Sequence, residues 1–260
     1  MSETLFLQPD RLSVDDFGQT CEQSLTLSDY PLATDAQKNV LIYHAATLIE
    51  CAQTDKTSVL SELHRALSTG PGVLVIKNTY PDKSIIERHN RVFEAIFQEE
   101  AARGNAGDHF SAAGNNGRIW NSLQKAAQHD PDAFIDYYAN PVLALVSEAW
   151  LGPWYQMTAQ VNVVRPGGKA QQPHRDYHLG FQENQDVQRF PLPLQLLSQY
   201  LTLQGAVAHS AMPLESGPTQ LLPFSHQYPG GYLAWRRPEF IDYFQQHAVQ
   251  LPLELGDTLF

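Results

Sequence analysis

The sequence predicts an α+β protein whose first part, residues 1–153, is mainly helical and whose second part, residues 154–260, forms short strands, as in a jelly roll or barrel. The main observation is a change in apolar spacing near Trp154, from the 3.6-residue repeat of an amphipathic helix to the two-residue alternation of a strand. Gly and Pro turns also separate the later segments at short intervals. The length of 260 residues and the absence of an internal repeat favour a single domain.

Helical spacing predicts a helix from about Ala33 to Gln53 and a second helix over Val59–Leu67, which the segment Ser68–Gly72 ends. Asp82 is expected to cap a long amphipathic helix that continues toward Ala102. Short helices are predicted, after a loop over residues 104–117 that is rich in Gly and Asn, near Ser122–Gln128, Asp132–Tyr138 and Val142–Trp150.

Several segments have the character of strands. Val73–Ile76 is short, β-branched and continuously apolar, which is typical of a buried strand. The segment Gln156–Arg165 alternates and predicts a strand that the turn Arg165-Pro-Gly-Gly168 ends. Further strands are predicted at Gln204–Ala211, Thr219–Leu222 and Val249–Leu253.

Composition and charge exclude several classes of function. The chain has 17 Lys and Arg residues against 28 Asp and Glu residues, a formal charge of -11, which repels nucleic acid and anionic membrane surfaces. Cys21 and Cys51 lie in no metal-type or redox-type spacing and are expected to be free thiols. With neither a signal peptide nor a long apolar run, the sequence predicts a cytoplasmic protein, and it does not specify an oligomeric state.

The most informative pair of residues is His174 and Asp176. On an extended strand, residues i and i+2 point to the same face, so an imidazole nitrogen and a carboxylate oxygen could bind one ion. Such a pair is the local half of a 2-His-1-carboxylate triad, which leaves one face of an iron(II) ion open for oxygen and a bidentate co-substrate. His-x-Asp also arises often by chance, and the alternative is a surface pair in a loop.

A second motif follows about forty residues later, Glu215-Ser-Gly-Pro-Thr219-Gln-Leu-Leu-Pro-Phe-Ser-His226, and the chain ends in Leu255-Gly-Asp-Thr-Leu-Phe260. His-x-Asp and these two segments, in this order, resemble the phytanoyl-CoA dioxygenase family. The resemblance is carried by residues 160–260, with weaker similarity before them. It implies a double-stranded β-helix, the cupin-like form of the jelly roll, with the helical N-terminal part packed outside it.

The resemblance also implies an iron(II)- and 2-oxoglutarate-dependent dioxygenase that uses molecular oxygen to hydroxylate a small organic substrate. His174 and Asp176 would bind the iron. Gln160, Asn162 and Thr219 could face the co-substrate, although polar strand residues more often face solvent. The family's pattern continues to a distal histidine and a 2-oxoglutarate-binding arginine, both expected beyond Phe260, so the 260-residue form is expected to bind iron weakly.

Two other classes of function stay open at this point. One is a non-catalytic β-helix protein that binds a small molecule or a partner. The other is a zinc-dependent hydrolase that uses His174, Asp176 and His178. His209, His226 and His247 are isolated and have ordinary structural explanations, and no sequence feature identifies the substrate.

Overall fold

A computed structural model describes residues 5–103, 116–165, 171 and 173–260. Its α-helices within those residues are α1 Val14–Cys21, α2 Ala45–Ser68, α3 Lys83–Ala102, α4 Ser122–His129, α5 Pro131–Tyr138, α6 Pro141–Leu151, α7 Asn184–Val187, α8 Leu192–Tyr200, α9 Gly231–Ala234 and α10 Pro238–His247. The strands are β1 Asp35–Gln37, β2 Val40–His44, β3 Leu74–Lys77, β4 Asn116–Ile119, β5 Val161–Val164, β6 Ala206–Val207 and β7 Thr258–Leu259. The predicted α+β class is confirmed.

Most of the predicted helices are confirmed because their ends carry strong local signals. Asp82 caps α3, and its side chain accepts a hydrogen bond from the Ser84 N–H at 3.0 Å. Helices α5 and α6 each begin with a proline, after the capping residues Asp130 and Asn140. Helix α2 ends at Ser68, as the Gly/Pro segment predicts. The turn at residues 166–168 and most of the loop predicted over residues 104–117 lie outside the described residues.

The helix predicted from Ala33 to Gln53 is wrong in its first half. Strands β1 and β2 form a hairpin there, and Lys38 and Asn39 make the turn with positive φ angles of 52° and 62°. The apolar run of β2 is buried on both faces, so it fits a central strand as well as a helix. Helix α2 begins only at Ala45 and continues through a kink at Asp55, where two separate helices were predicted.

The larger sheet has five strands in the order β1-β2-β3-β7-β6. Strands β2 and β3 are parallel and are joined by α2, whereas the other neighbours pair antiparallel. Three of these strands precede residue 154, where the sequence predicted mainly helix. Strands β4 and β5 form a separate antiparallel pair, called here the β4–β5 ribbon.

The strands predicted in the second part are shorter than expected. Strand β5 covers the end of the predicted segment Gln156–Arg165, and β6 covers two residues of Gln204–Ala211. The segments Thr219–Leu222 and Val249–Leu253 meet only through isolated bridges, Leu221 to Val249 and Met212 to Leu253. Within the described ranges the fold is therefore α+β with mixed sheets, and a complete double-stranded β-helix is not seen there.

The main core lies between the larger sheet and the helices α2 and α6. Its fully buried side chains come from both layers, and each contributes on the order of 2 kcal/mol by burial; they include Leu41, Tyr43, Leu48, Leu63, Leu74, Ile76 and Val146. None of the helices in the described part of the chain has the length and apolar character that a membrane span requires.

The end of α2 depends on a glycine. Gly72 has a φ of 73°, and a Cβ atom there would overlap the His226 imidazole, which is held by a 2.9 Å hydrogen bond between Nε2 and the Ser68 carbonyl. We expect Gly72→Ala to lower the free energy of unfolding by about 2–3 kcal/mol, because it adds backbone strain and displaces a packed ring. Urea unfolding measures the loss. Gly217→Ala is the matched control, since Gly217 also has a positive φ, 71°, but nothing lies within 4 Å of an added Cβ. We expect it to lower the free energy of unfolding by about 1 kcal/mol. Equal losses in the two variants would contradict the steric argument.

Candidate metal site

His174 and Asp176 lie in an irregular segment, called here the His174 loop (residues 173–177), which precedes a 3-10 helix at His178–Phe181. The expectation that the two residues lie on a strand is wrong. Tyr177 and His178 have positive φ angles of 65° and 45°, which end the extended conformation. The two predicted donors converge nevertheless, because His174 Nε2 lies 3.6 Å from Asp176 Oδ2.

The arrangement can be tested against the geometry of a metal ion. Adjacent ligands on an octahedral ion, each about 2.1 Å from the metal, lie about 3 Å from one another. The observed 3.6 Å is close enough for a small side-chain rotation to bring both donors onto one ion. Their side chains are 35% and 42% exposed, so a metal and a co-substrate can reach them. The pair is compatible with half of a facial triad, and its metal-binding role stays a prediction.

Asp176 has an environment that favours the carboxylate. The His174 imidazole is the largest influence, and with the Gln204 amide and the positive charge of Arg118 it holds the pKa of Asp176 below its usual range, against the opposing effect of burial. The Gln204 amide donates a hydrogen bond to Asp176 Oδ2, the same oxygen that faces His174. A bound cation would therefore replace or share this contact.

The β4–β5 ribbon brings two of the predicted co-substrate residues to one face. Arg118 pairs with Asn162 across the ribbon, and its Nε donates a hydrogen bond to Gln160 Oε1 at 3.1 Å. The Arg118 guanidinium lies over the Trp120 ring, 3.9 Å from its centroid. Since the charge of Arg118 also lowers the pKa of Asp176, this face lies near the His174 loop.

Arg118 directly follows the loop predicted over residues 104–117 and is not among the residues predicted for the site. The signal was present, however. Asn116, Arg118 and Trp120 alternate with Gly117 and Ile119, which is the two-residue pattern of a strand with one buried face. Ile119 is fully buried, as that pattern predicts.

Thr219 is in a different position from Gln160 and Asn162. It is exposed, in an irregular segment that follows Gly217. Among the described residues its side chain makes no hydrogen bond with the β4–β5 ribbon or the His174 loop. Its predicted contact with a co-substrate stays a prediction.

Three of the other histidines named in the sequence analysis, His178, His209 and His226, have protein partners. His178 Nδ1 lies 2.9 Å from Ser198 Oγ, His209 contacts Tyr137 and Asn90, and the His226 ring contacts the Ser68 carbonyl. In the described ranges no three His, Cys, Asp or Glu residues come together as a metal site. The three-residue zinc site of a hydrolase, which would add His178 to His174 and Asp176, is thus not assembled in these ranges.

Comparison with known families tests the resemblance that the sequence motifs indicate. The profile of the phytanoyl-CoA dioxygenase (PhyH) family matches residues 69–260. The chain belongs to this family. The match begins well before Gln160, so it includes the helices α3 to α6 as well as the motif-bearing second part. Membership in the phytanoyl-CoA dioxygenase family indicates a dioxygenase that acts on a small molecule with oxygen. No curated protein and no solved structure gives a significant match.

Proposed function

We propose that this member of the phytanoyl-CoA dioxygenase family is an iron(II)- and 2-oxoglutarate-dependent dioxygenase that hydroxylates a small organic substrate. The observation that carries the proposal is the convergence of His174 and Asp176, 3.6 Å apart, in a chain of this family. The proposal includes a double-stranded β-helix, to which the β4–β5 ribbon and the strands β3, β7 and β6 would contribute.

In this proposal His174 and Asp176 hold the iron(II), and the Asp176 carboxylate offsets part of its charge. The bound metal supplies the oxidative chemistry, in which oxygen and 2-oxoglutarate are consumed, succinate and carbon dioxide are released and a substrate carbon is hydroxylated. The amide of Gln204 orients the oxygen of Asp176 that faces His174. The proposal also requires a second imidazole ligand and an arginine that binds 2-oxoglutarate, and both stay predictions.

Arg118 would attract the dianionic co-substrate. It lies near Asp176 on the ribbon face that also carries Gln160 and Asn162, and a guanidinium suits a carboxylate. We expect Arg118→Gln to raise the KM for 2-oxoglutarate by more than about 10-fold, since a hydrogen bond to a charged group contributes about 1.5–3 kcal/mol. Arg118→Lys keeps the charge and should cost less. Steady-state kinetics of succinate release measures both, and an unchanged KM in Arg118→Gln would remove Arg118 from the co-substrate site.

The proposed function is tested with the full-length protein, freed of metal and supplied with iron(II) and 2-oxoglutarate. Succinate formation under air that disappears under nitrogen, and that requires iron, is the expected result. Metal-dependent hydrolysis that persists under nitrogen would favour the zinc hydrolase and overturn the proposal. Binding of 2-oxoglutarate without any succinate, across a panel of small organic substrates, would identify a non-catalytic binding protein instead.

A further inference from the structure

Arg175, between the two predicted metal ligands, is held by residues outside the His174 loop. Its guanidinium lies over the Tyr232 ring, 4.8 Å from the centroid, and its Nη1 donates a hydrogen bond to Gln199 Oε1 at 3.1 Å. In the described part of the chain it makes no salt bridge to a carboxylate. Arg175 is partly buried, and a cation removed from water needs compensating contacts, which the Tyr232 ring and the Gln199 amide oxygen provide.

Two glycines make the space that Arg175 occupies. A Cβ atom on Gly231 would overlap the Arg175 guanidinium, and a Cβ atom on Gly180 would overlap the Arg175 carbonyl. Gly231 begins α9, directly before the Tyr232 ring that supports the guanidinium. Two glycines that are far apart in sequence thus leave room for the same arginine.

Helix α8 carries Gln199, the second residue that contacts Arg175. Its apolar residues are exposed and its polar residues are buried, the reverse of the usual arrangement. Its leucines Leu194, Leu196 and Leu197 are exposed, whereas Gln195 and Ser198 are fully buried. Ser198 Oγ contacts His178 Nδ1 at 2.9 Å and accepts a longer hydrogen bond, 3.4 Å, from the backbone N–H of Leu179. Ser198 therefore contacts the residues that directly follow the His174 loop, whereas Gln195 donates to the carbonyls of Val187 and Phe190.

Gln199 also connects Arg175 to the segment around His226. Besides accepting from Arg175, it donates to the His226 carbonyl at 3.0 Å, and the His226 ring contacts the Ser68 carbonyl at the end of α2. The His174 loop lies in no described strand, so no described ladder of backbone hydrogen bonds fixes its conformation. Side-chain contacts from Arg175 and α8 take the place of that ladder.

We infer that Arg175 is a positioning residue, which fixes the backbone between His174 and Asp176 through its contacts with Tyr232 and Gln199 so that the two donors converge. This inference rests on the proposed function. Arg175 touches neither the metal nor a substrate in this scheme. Its planar guanidinium is suited to the role, because one group can stack on Tyr232 and donate to Gln199 at the same time.

The test compares Arg175→Met, which keeps most of the side-chain stem, and Arg175→Lys with the unmodified full-length protein. For Arg175→Met we expect iron(II) affinity to fall about 10- to 100-fold, as for other groups that orient metal ligands, and backbone hydrogen exchange to rise in residues 173–180. Arg175→Lys should restore part of the affinity. Calorimetric iron titration under nitrogen and hydrogen exchange are measured where every variant is folded. A purely structural role would leave the iron affinity unchanged.

Arg65→Met is the matched control, because the Arg65 guanidinium also lies over a tyrosine ring, that of Tyr30 at 5.2 Å, but it projects from α2 and donates to the Asp29 carbonyl. It should reduce stability without changing iron affinity. Gly231→Ala is the second variant, since it keeps Arg175 but displaces its guanidinium. It tests the inference even if Arg175→Met does not fold, and a smaller loss of iron affinity is expected.

The outcomes separate the two proposals. Suppose that Asp176→Ala loses iron, but a folded Arg175→Met or Gly231→Ala keeps the original iron affinity and the original backbone hydrogen exchange. The positioning role is then overturned and the metal site stands. If Asp176→Ala itself binds iron normally, the proposed function fails first.

Discussion

Asp176→Ala is expected to lower the iron(II) affinity of the full-length protein by more than about 100-fold, because losing a ligand costs more than the 10- to 100-fold loss typical of an orienting group. Iron-dependent succinate formation should disappear with it. Asp176 supplies the negative charge of the predicted ligand pair, and its side chain is 42% exposed. Its removal opens no large apolar cavity, so the free energy of unfolding should change by less than about 1 kcal/mol.

Two controls make this result specific. Asp176→Asn keeps the shape of the side chain and an oxygen that can accept from Gln204, but it lacks the charge, and we expect it to bind iron nearly as poorly as the alanine variant. Asp186→Ala removes another carboxylate, which lies on helix α7 and pairs with Arg189, and should leave both iron affinity and succinate formation unchanged. Normal succinate formation by Asp176→Ala would show that Asp176 is not a ligand.

The predicted metal pair shows what a motif can and cannot specify. The two-residue spacing of His174 and Asp176 predicts convergence, and the structure has the two side chains 3.6 Å apart. The predicted reason, an extended strand, is wrong, because the segment is irregular and its extended conformation ends at Tyr177 and His178, which have positive φ angles. The loop is held by Arg175, which contacts residues 24 and 57 positions later in the sequence, Gln199 and Tyr232. Contacts at such separations have no local signal.

The fold was predictable where local chemistry dominates. Caps and prolines define the ends of α3, α5 and α6, and those helices match their predictions. The hairpin of β1 and β2 was not predicted, since a buried run such as Val40–Tyr43 satisfies both helical and strand patterns. Only the turn residues Lys38 and Asn39 indicate the strand, and neither is glycine. Strand pairing in the second part depends on distant partners, which a single sequence does not reveal.

A cluster of aromatic and imidazole rings links α3, α5 and the segment after β6. His89 is fully buried, stacks on Tyr137 with ring centroids 4.2 Å apart, and meets the edge of Phe93. Neither of its ring nitrogens reaches a partner in good hydrogen-bonding geometry, although the nearby backbone of Ala133 raises its pKa slightly. Burial dominates and lowers the pKa of His89 to about 4, and burial likewise lowers that of His209, which contacts Tyr137, to about 4.

These histidines predict a loss of stability in mild acid. Each has a pKa near 6.5 when unfolded and about 4 when folded, so the unfolded chain takes up protons first as the pH falls. The stability that the two neutral histidines contribute is fully present above about pH 6.5 and is lost progressively as the pH falls to about 4. Below pH 4 these histidines cause no further loss. The loss should reach about 3 kcal/mol from His89, and less from His209 because it is partly accessible.

Urea unfolding between about pH 4 and pH 7 measures this slope, and His89→Phe isolates the contribution of one ring. Phenylalanine keeps the stack on Tyr137 but cannot be protonated, so the variant should be the more stable protein near pH 5 and should have the flatter curve. Carboxylates whose pKa values are lowered, such as Asp130, act in a separate window, because their stabilisation is lost only as the pH falls below about 4. If the His89→Phe and unmodified curves run parallel between pH 4 and pH 6.5, His89 does not stay neutral in the folded protein, and the acid sensitivity has another source.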